Sequence, residues 1–95
     1  MLETTPIQVF LPPPLRRFCD NLDSVEVFAS TVAEAIEALH GRFNGIRERL
    51  LDDAGDLRGS VLFFVNQEDV RFLELSRTPL KSGDQLSIIP AFAGG

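Results

Sequence analysis

Thr31-Val32-Ala33-Glu34-Ala35-Ile36-Glu37-Ala38-Leu39-His40-Gly41-Arg42-Phe43-Asn44-Gly45 carries the clearest helical period in the chain. Thr31 and Glu34 stand three apart, the spacing of a capping box, in which each residue satisfies a backbone donor near the other. Behind them Val32, Ala35, Ile36, Leu39 and Phe43 recur at intervals of three and four, which predicts one apolar helix face. Asn44-Gly45 supplies the stop, because both residues tolerate the left-handed conformation. Gly41 weakens the last turn. A second short helix over about 46–51 and a turn over 52–56 follow.

The flanks read as strands. Ile7 to Leu11 alternates, with Ile7, Val9 and Leu11 on one side and Gln8 and Phe10 on the other. Pro12-Pro13-Pro14 removes three backbone donors and ends pairing. Leu15 to Phe18 is expected to be irregular, with Leu15 and Phe18 packed downward. Ser24 to Phe28 is a second strand, with Val25 and Val27 inward. After the helices, Val61 to Val65 is a third strand, 66–69 a turn and Val70 to Phe72 a brief fourth strand. Thr78 to Asp84 places Pro and Gly at turn spacing, and Gln85 to Pro90 is the last strand. One main helix against a mixed sheet of four or five strands is a two-layer α+β domain. If the first and last strands pair, they run parallel, and the arrangement is a β-grasp. Residues 1–90 form this domain, and 91–95 a flexible C-terminal tail.

Bulk properties narrow the function. The 95 residues suffice for one domain, and 44% hydrophobic content with eight Phe, no Trp and no Tyr predicts an aliphatic and Phe-based core. A net charge of −5 argues against nucleic acid and anionic membranes, and it permits a basic protein partner. The single Cys19 allows no internal disulfide, which favours the cytoplasm. The N-terminal stretch lacks the features of a signal peptide, and no apolar run reaches membrane-spanning length.

No catalytic constellation stands out. His40 is the only histidine, so no His cluster can hold a metal. Cys19 has Arg16 and Arg17 nearby, which favours a thiolate, but no base or resolving Cys accompanies it. Asp52, Asp53 and Asp56 lack the Gly and distal Glu of a calcium loop. What remains is a surface. In the third strand Leu62 and Phe64 share the face opposite Val61, Phe63 and Val65. Ile89 and Phe10 point the same way from the last and first strands. A single helix covers one sheet face, so Phe10, Leu62, Phe64 and Ile89 form a candidate partner patch, unless loops or the Pro12–Pro14 segment cover it.

The tail reads Ala91-Phe92-Ala93-Gly94-Gly95. Two glycines suit a frayed end, and they equally suit an end that must pass through a space too narrow for a Cβ.

Over nearly its whole length the chain resembles the ubiquitin-like sulfur carriers of the MoaD/ThiS family. The resemblance rests on "TVAEAIEAL" (31–39), "GIRERLLD" (45–52), "VNQEDVRF" (65–72), "LKSGDQLSIIPA" (80–91) and the terminal "AGG". "GIRERLLD", "VNQEDVRF" and "IIPAFAGG" look most like the thiocarboxylate carrier of cysteine biosynthesis. Phe92 departs from the small aliphatic residue expected there. The resemblance implies a carrier and not an enzyme. An E1-like adenylyltransferase/sulfurtransferase would use ATP and Mg to adenylate Gly95, and a persulfide would convert it to a thiocarboxylate. A cysteine synthase dependent on pyridoxal phosphate would accept the sulfur, and a JAMM-type Zn metalloprotease would release the product. Alternatives are the small subunit of molybdopterin synthase, acting with its large subunit, and a protein modifier conjugated through Gly95. Ala91, Phe92, Ala93 and Gly94 would thread the partner active sites.

Overall fold

The computed structural model describes residues 5–90. Ten short elements follow one another among the described residues. They are β1 (Pro6–Phe10), α1 (Pro13–Arg16), β2 (Ser24–Phe28), α2 (Val32–Arg42), α3 (Ile46–Leu50), β3 (Val61–Val65), β4 (Glu68–Asp69), 3₁₀ turns at Val70–Phe72 and Leu75–Arg77, and β5 (Gln85–Pro90).

The expected helix is α2, and Thr31 is its N-cap; only the reciprocal bond of the capping box moves, by one residue. Thr31 Oγ1 accepts from the Glu34 N–H at 3.2 Å, as a capping box requires. Glu34 Oε1 reaches past Thr31 and accepts from the Ser30 N–H at 2.9 Å and the Ser30 hydroxyl at 2.7 Å. A third strand of chain completes the cap. The Val32 N–H donates to the Thr78 carbonyl, and the Leu80 N–H to the Ser30 carbonyl. α2 ends at Arg42 with Phe43 extended at its C-cap, and Gly45 stands at the N-cap of α3 with φ +95°, a conformation that strains any residue with a Cβ.

The sheet has five strands in the order β2-β1-β5-β3-β4. β1 and β5 are parallel, as the β-grasp reading requires, and the other three pairings are antiparallel. β5 is therefore central, bonded on both sides. Its start is pinned by side chains: Asn66 Oδ1 accepts from the Gln85 N–H at 3.1 Å, and Asn66 Nδ2 donates to Asp84 Oδ1 at 3.1 Å. Alternation sends Ile7, Val9, Val25, Val27, Phe63, Val65, Leu86 and Ile88 to the core, where they meet Val32, Ile36, Leu39, Ile46 and Leu50.

Two elements differ from expectation. Pro13–Arg16 is a helical turn and not an irregular segment. Its prolines sit at the first helical positions, where their missing N–H groups cost nothing. Leu15 and Phe18 do pack against the core. The fourth strand lies at Glu68–Asp69, two residues earlier than expected. Asn66-Gln67 alone makes the hairpin turn, with Asn66 at φ +59°. Val70–Phe72 is a 3₁₀ turn because Asp69 caps it, accepting from the Arg71 N–H at 2.9 Å.

Candidate functional site

The outward sheet face is divided. Towards the start of β5 it is polar. Gln8 stands opposite Gln85 and Glu26, and Gln8 Nε2 donates to Ser24 Oγ at 3.2 Å. Towards the end of β5 it is apolar. Phe10 and Phe64 both stand opposite Ser87, one on each side of the central strand. The two rings thus flank a small residue. One step further along, Leu62 stands opposite Ile89. The structure therefore brings all four predicted patch residues together on three adjacent strands.

They are not equally bare. Ile89 is 43% exposed and Phe10 37%, whereas Leu62 and Phe64 are half-buried. The Pro12–Pro14 segment does not cover the patch. Pro12, Pro14 and Leu15 instead line a cleft with Ser60, Val61 and Pro90. Pro90 and Val61 share the face of Ile88, the core side.

β5 ends at Pro90, paired with Val61 at the apolar end of the sheet. The first half of β5 is thus held between β1 and β3, and its last residues, Ile88–Pro90, pair with β3 beside the patch. The tail positions Ala91, Phe92, Ala93, Gly94 and Gly95 lie outside the described residues.

The other candidates resolve as structural groups. Cys19 is fully buried, and burial first, then the Asp20 carboxylate, pushes its thiol pKa up. The neighbouring arginines are engaged elsewhere. Arg16 Nε donates to the Leu11 carbonyl at 3.0 Å, and Arg17 lies over the Phe18 ring. A protonated, buried thiol is no nucleophile. Asp52 Oδ1 accepts from the Ala54 and Asp56 N–H groups at 2.9 and 3.0 Å, which makes its loop a turn. His40 is half-buried on α2, and among the described residues no three His, Cys, Asp or Glu side chains group around a possible metal position. A cleft of about 510 Å³ lies at the other end of β3 and β5, where Glu68, Glu74, Lys81 and Asp84 contribute charges of both signs. Among the described residues no helix is long and apolar enough to cross a membrane.

Sequence reading missed three features of this surface. Ser87 separates the two patch rings, and only strand register reveals it. Phe72, 83% exposed, lies in the 3₁₀ turn that was read as a strand. The cleft beside Pro90 joins residues from both ends of the chain, which no local pattern links.

A five-stranded sheet holding one main helix, with its first and last strands paired in parallel and an apolar face beside the end of its central strand, defines a ubiquitin-like β-grasp protein. Comparison with known proteins sharpens this. Residues 16–95 match the ThiS family, and the chain belongs to that family of ubiquitin-like sulfur carriers. The sulfur carrier protein CysO of Mycobacterium tuberculosis is 37% identical over 91 residues, covering 94% of this chain and 98% of the relative. A chain in the crystal structure of the Amycolatopsis orientalis BexX/CysO complex superposes with a TM-score of 0.88 at 38% identity, covering 94% of this chain and 99% of that one. Ubiquitin-related modifier 1 of Encephalitozoon cuniculi is 32% identical over 66 residues, 70% of this chain and 69% of the relative. The protein is a sulfur carrier, acted on by enzymes and not itself one.

Proposed function

We propose that the carboxylate of Gly95 is the group that carries sulfur, and that the sulfur serves cysteine biosynthesis. The observation that carries this reading is the family match running through the double glycine to residue 95, on a chain akin to CysO. A free carboxylate is a poor acyl donor. An E1-like partner holding ATP and Mg²⁺ joins a Gly95 oxygen to the α-phosphate and releases pyrophosphate. The mixed anhydride then has AMP as a good leaving group. Sulfur supplied as a persulfide displaces AMP, and thiol cleavage of the remaining S–S bond leaves the thiocarboxylate.

This chain contributes placement. The apolar patch of Phe10, Leu62, Phe64 and Ile89 docks on the partner, and central strand β5 aims the tail. Gly94 and Gly95 have no Cβ, so they fit a channel that admits only backbone. The acceptor is a cysteine synthase dependent on pyridoxal phosphate, and a Zn metalloprotease of the JAMM type releases the product. ATP, Mg²⁺, pyridoxal phosphate and Zn²⁺ all belong to those partners.

The test is intact-mass spectrometry after incubation with the E1-like enzyme of the same organism, ATP, Mg²⁺ and a sulfur donor. The expected gain is that of one oxygen exchanged for sulfur, confined to the peptide ending in Gly95. An unchanged mass with an enzyme that adenylates the chain would overturn the reading. The likeness to a ubiquitin-related modifier supports a second reading, conjugation to lysines through Gly95. Gly-Gly remnants on lysines of partner proteins, dependent on Gly95, would establish it.

A further inference from the structure

We infer that the open edge of β2 is a second binding surface, which takes an extended segment of a protein partner as a sixth strand with a basic side chain opposite Glu26.

The direction of the backbone groups follows from pairing. In β1 the Gln8 N–H donates to the Asp84 carbonyl, on the β5 side. Successive residues of a strand turn their N–H and C=O groups to opposite sides, so Ile7 and Val9 bond to β2. Their partners there are Val27 and Val25. The bonds at either end agree. The Leu11 N–H donates to the Asp23 carbonyl, and the Ala29 N–H to the Thr5 carbonyl. Ser24, Glu26 and Phe28 therefore turn their backbone groups away from β1. Among the described residues no strand lies there, because β2 is the first in the sheet order. The opposite edge, β4, has two residues, whereas β2 has five.

A row of such groups specifies its ligand. The three residues recur about 6.6 Å apart. Paired donors and acceptors at that spacing match the backbone of another extended chain. β2 holds no proline, and its register with β1 runs without a bulge, so neither device blunts the edge. Arg42 alone covers part of it among the described residues, Nη1 donating to the Glu26 carbonyl at 3.1 Å. That bond is exposed, and an incoming N–H replaces it. Arg42 keeps its place over the Phe43 ring, 5.2 Å from the centroid.

Side chains choose among extended segments. Glu26 and Phe28 stand on the outer sheet face, and Phe28 is 58% exposed. A cleft of about 310 Å³, lined by Thr5, Phe28, Ala29, Ser30 and Glu34, continues the edge past Phe28. The Glu26 and Glu34 carboxylates form no ion pair among the described residues. A second copy of this chain fits poorly. Two β2 strands paired about their centres set Glu26 opposite its own copy, and like charges directly opposite destabilise a pair. A partner segment with Lys or Arg opposite Glu26 and an aliphatic residue opposite Phe28 complements both positions. Antiparallel pairing is the more stable arrangement.

The inference needs neither the apolar patch nor sulfur chemistry. Its test is NMR of the full chain titrated with the blocked peptide Ile-Thr-Lys-Thr-Thr, which sets Ile opposite Phe28 and Lys opposite Glu26. In the dilute free chain the Glu26 and Phe28 amides should exchange freely with solvent, and those of Val25 and Val27 slowly. The peptide should protect Glu26 and Phe28 and leave Val25 and Val27 unchanged. The same peptide with Glu in place of Lys should bind about fivefold more weakly. Glu26→Pro should keep the fold, since the N–H it removes points away from β1, and should abolish the protection of Phe28. Slow exchange of Glu26 and Phe28 in the dilute free chain overturns the inference, because the edge is then already covered. So does a peptide that shifts nothing, or only Phe10, Leu62, Phe64 and Ile89. Protection that rises with protein concentration in the absence of peptide also overturns it and assigns the edge to a second copy. If Glu26→Pro does not fold, the two peptides on the unsubstituted chain decide.

Discussion

Ile88 and Ile89 are neighbours with the same side chain and opposite duties. Ile88 is 2% exposed and packs in the core, whereas Ile89 is 43% exposed on the outer face opposite Leu62. Ile88→Ala should therefore cost about 2–5 kcal/mol by removing buried methyl groups and leaving a cavity. Ile89→Ala should cost about 1 kcal/mol or less, mostly through strand propensity. Urea unfolding measures both. Binding to the activating enzyme should show the reverse order, with Ile89→Ala weakening it and Ile88→Ala, where folded, leaving it intact. Equal stability losses would contradict the face assignment. The same alternation was legible in the sequence for Phe10, Leu62 and Phe64. Their degrees of exposure were not, because Leu62 and Phe64 are half-buried by neighbours on other strands.

At the scale of elements, α2 was legible because its signals are local. Thr31, Glu34 and the apolar residues that follow lie within a few turns. The bonds from Ser30 to Glu34 and the tie to the segment Thr78–Leu80, far along the chain, were not legible. β4 was misplaced for a related reason. Val70 is β-branched and buried, which suits a strand, but the Asp69 carboxylate bends the backbone into a 3₁₀ turn. Thr31→Ala should destabilise the protein by about 1 kcal/mol, the worth of an N-cap, read as a lower urea midpoint. Glu34 makes a pH prediction. Hydrogen bonds from the Ser30 N–H and then the Ser30 hydroxyl hold its carboxyl below the ordinary carboxylate value. A group depressed on folding stabilises above its unfolded pKa, and that stability fades as pH falls through the folded value. Glu34→Gln retains an acceptor without a titrating proton. Its stability should thus fall less steeply than wild type on acidification through that window. Parallel curves would show that Glu34 is not linked to folding.

At the scale of the whole molecule, charge and topology act together. A chain of net charge −5 approaching a basic rim is steered electrostatically. Its association rate with the activating enzyme should fall with added salt, with the dissociation rate changing far less, as stopped-flow or surface-binding kinetics would show. An association rate indifferent to salt would remove charge steering and leave the apolar patch as the whole attraction. The sheet order also explains how the patch is assembled. β5 is held by β1 on one side and β3 on the other, so Phe10, Phe64, Leu62 and Ile89 gather around the last strand. By itself the sequence determined what short-range physics encodes: the helix, the strand faces, four of the five strands to within a residue, and the absence of any local catalytic motif. Tertiary structure alone decided the rest. It set the rings of Phe10 and Phe64 on either side of Ser87, buried Cys19, tied the start of α2 to the segment Thr78–Leu80, and built a cleft from Pro12, Leu15, Val61 and Pro90. Each of these joins residues distant in the chain, and their meeting depends on register and packing, which emerge only once the sheet has closed around its helix.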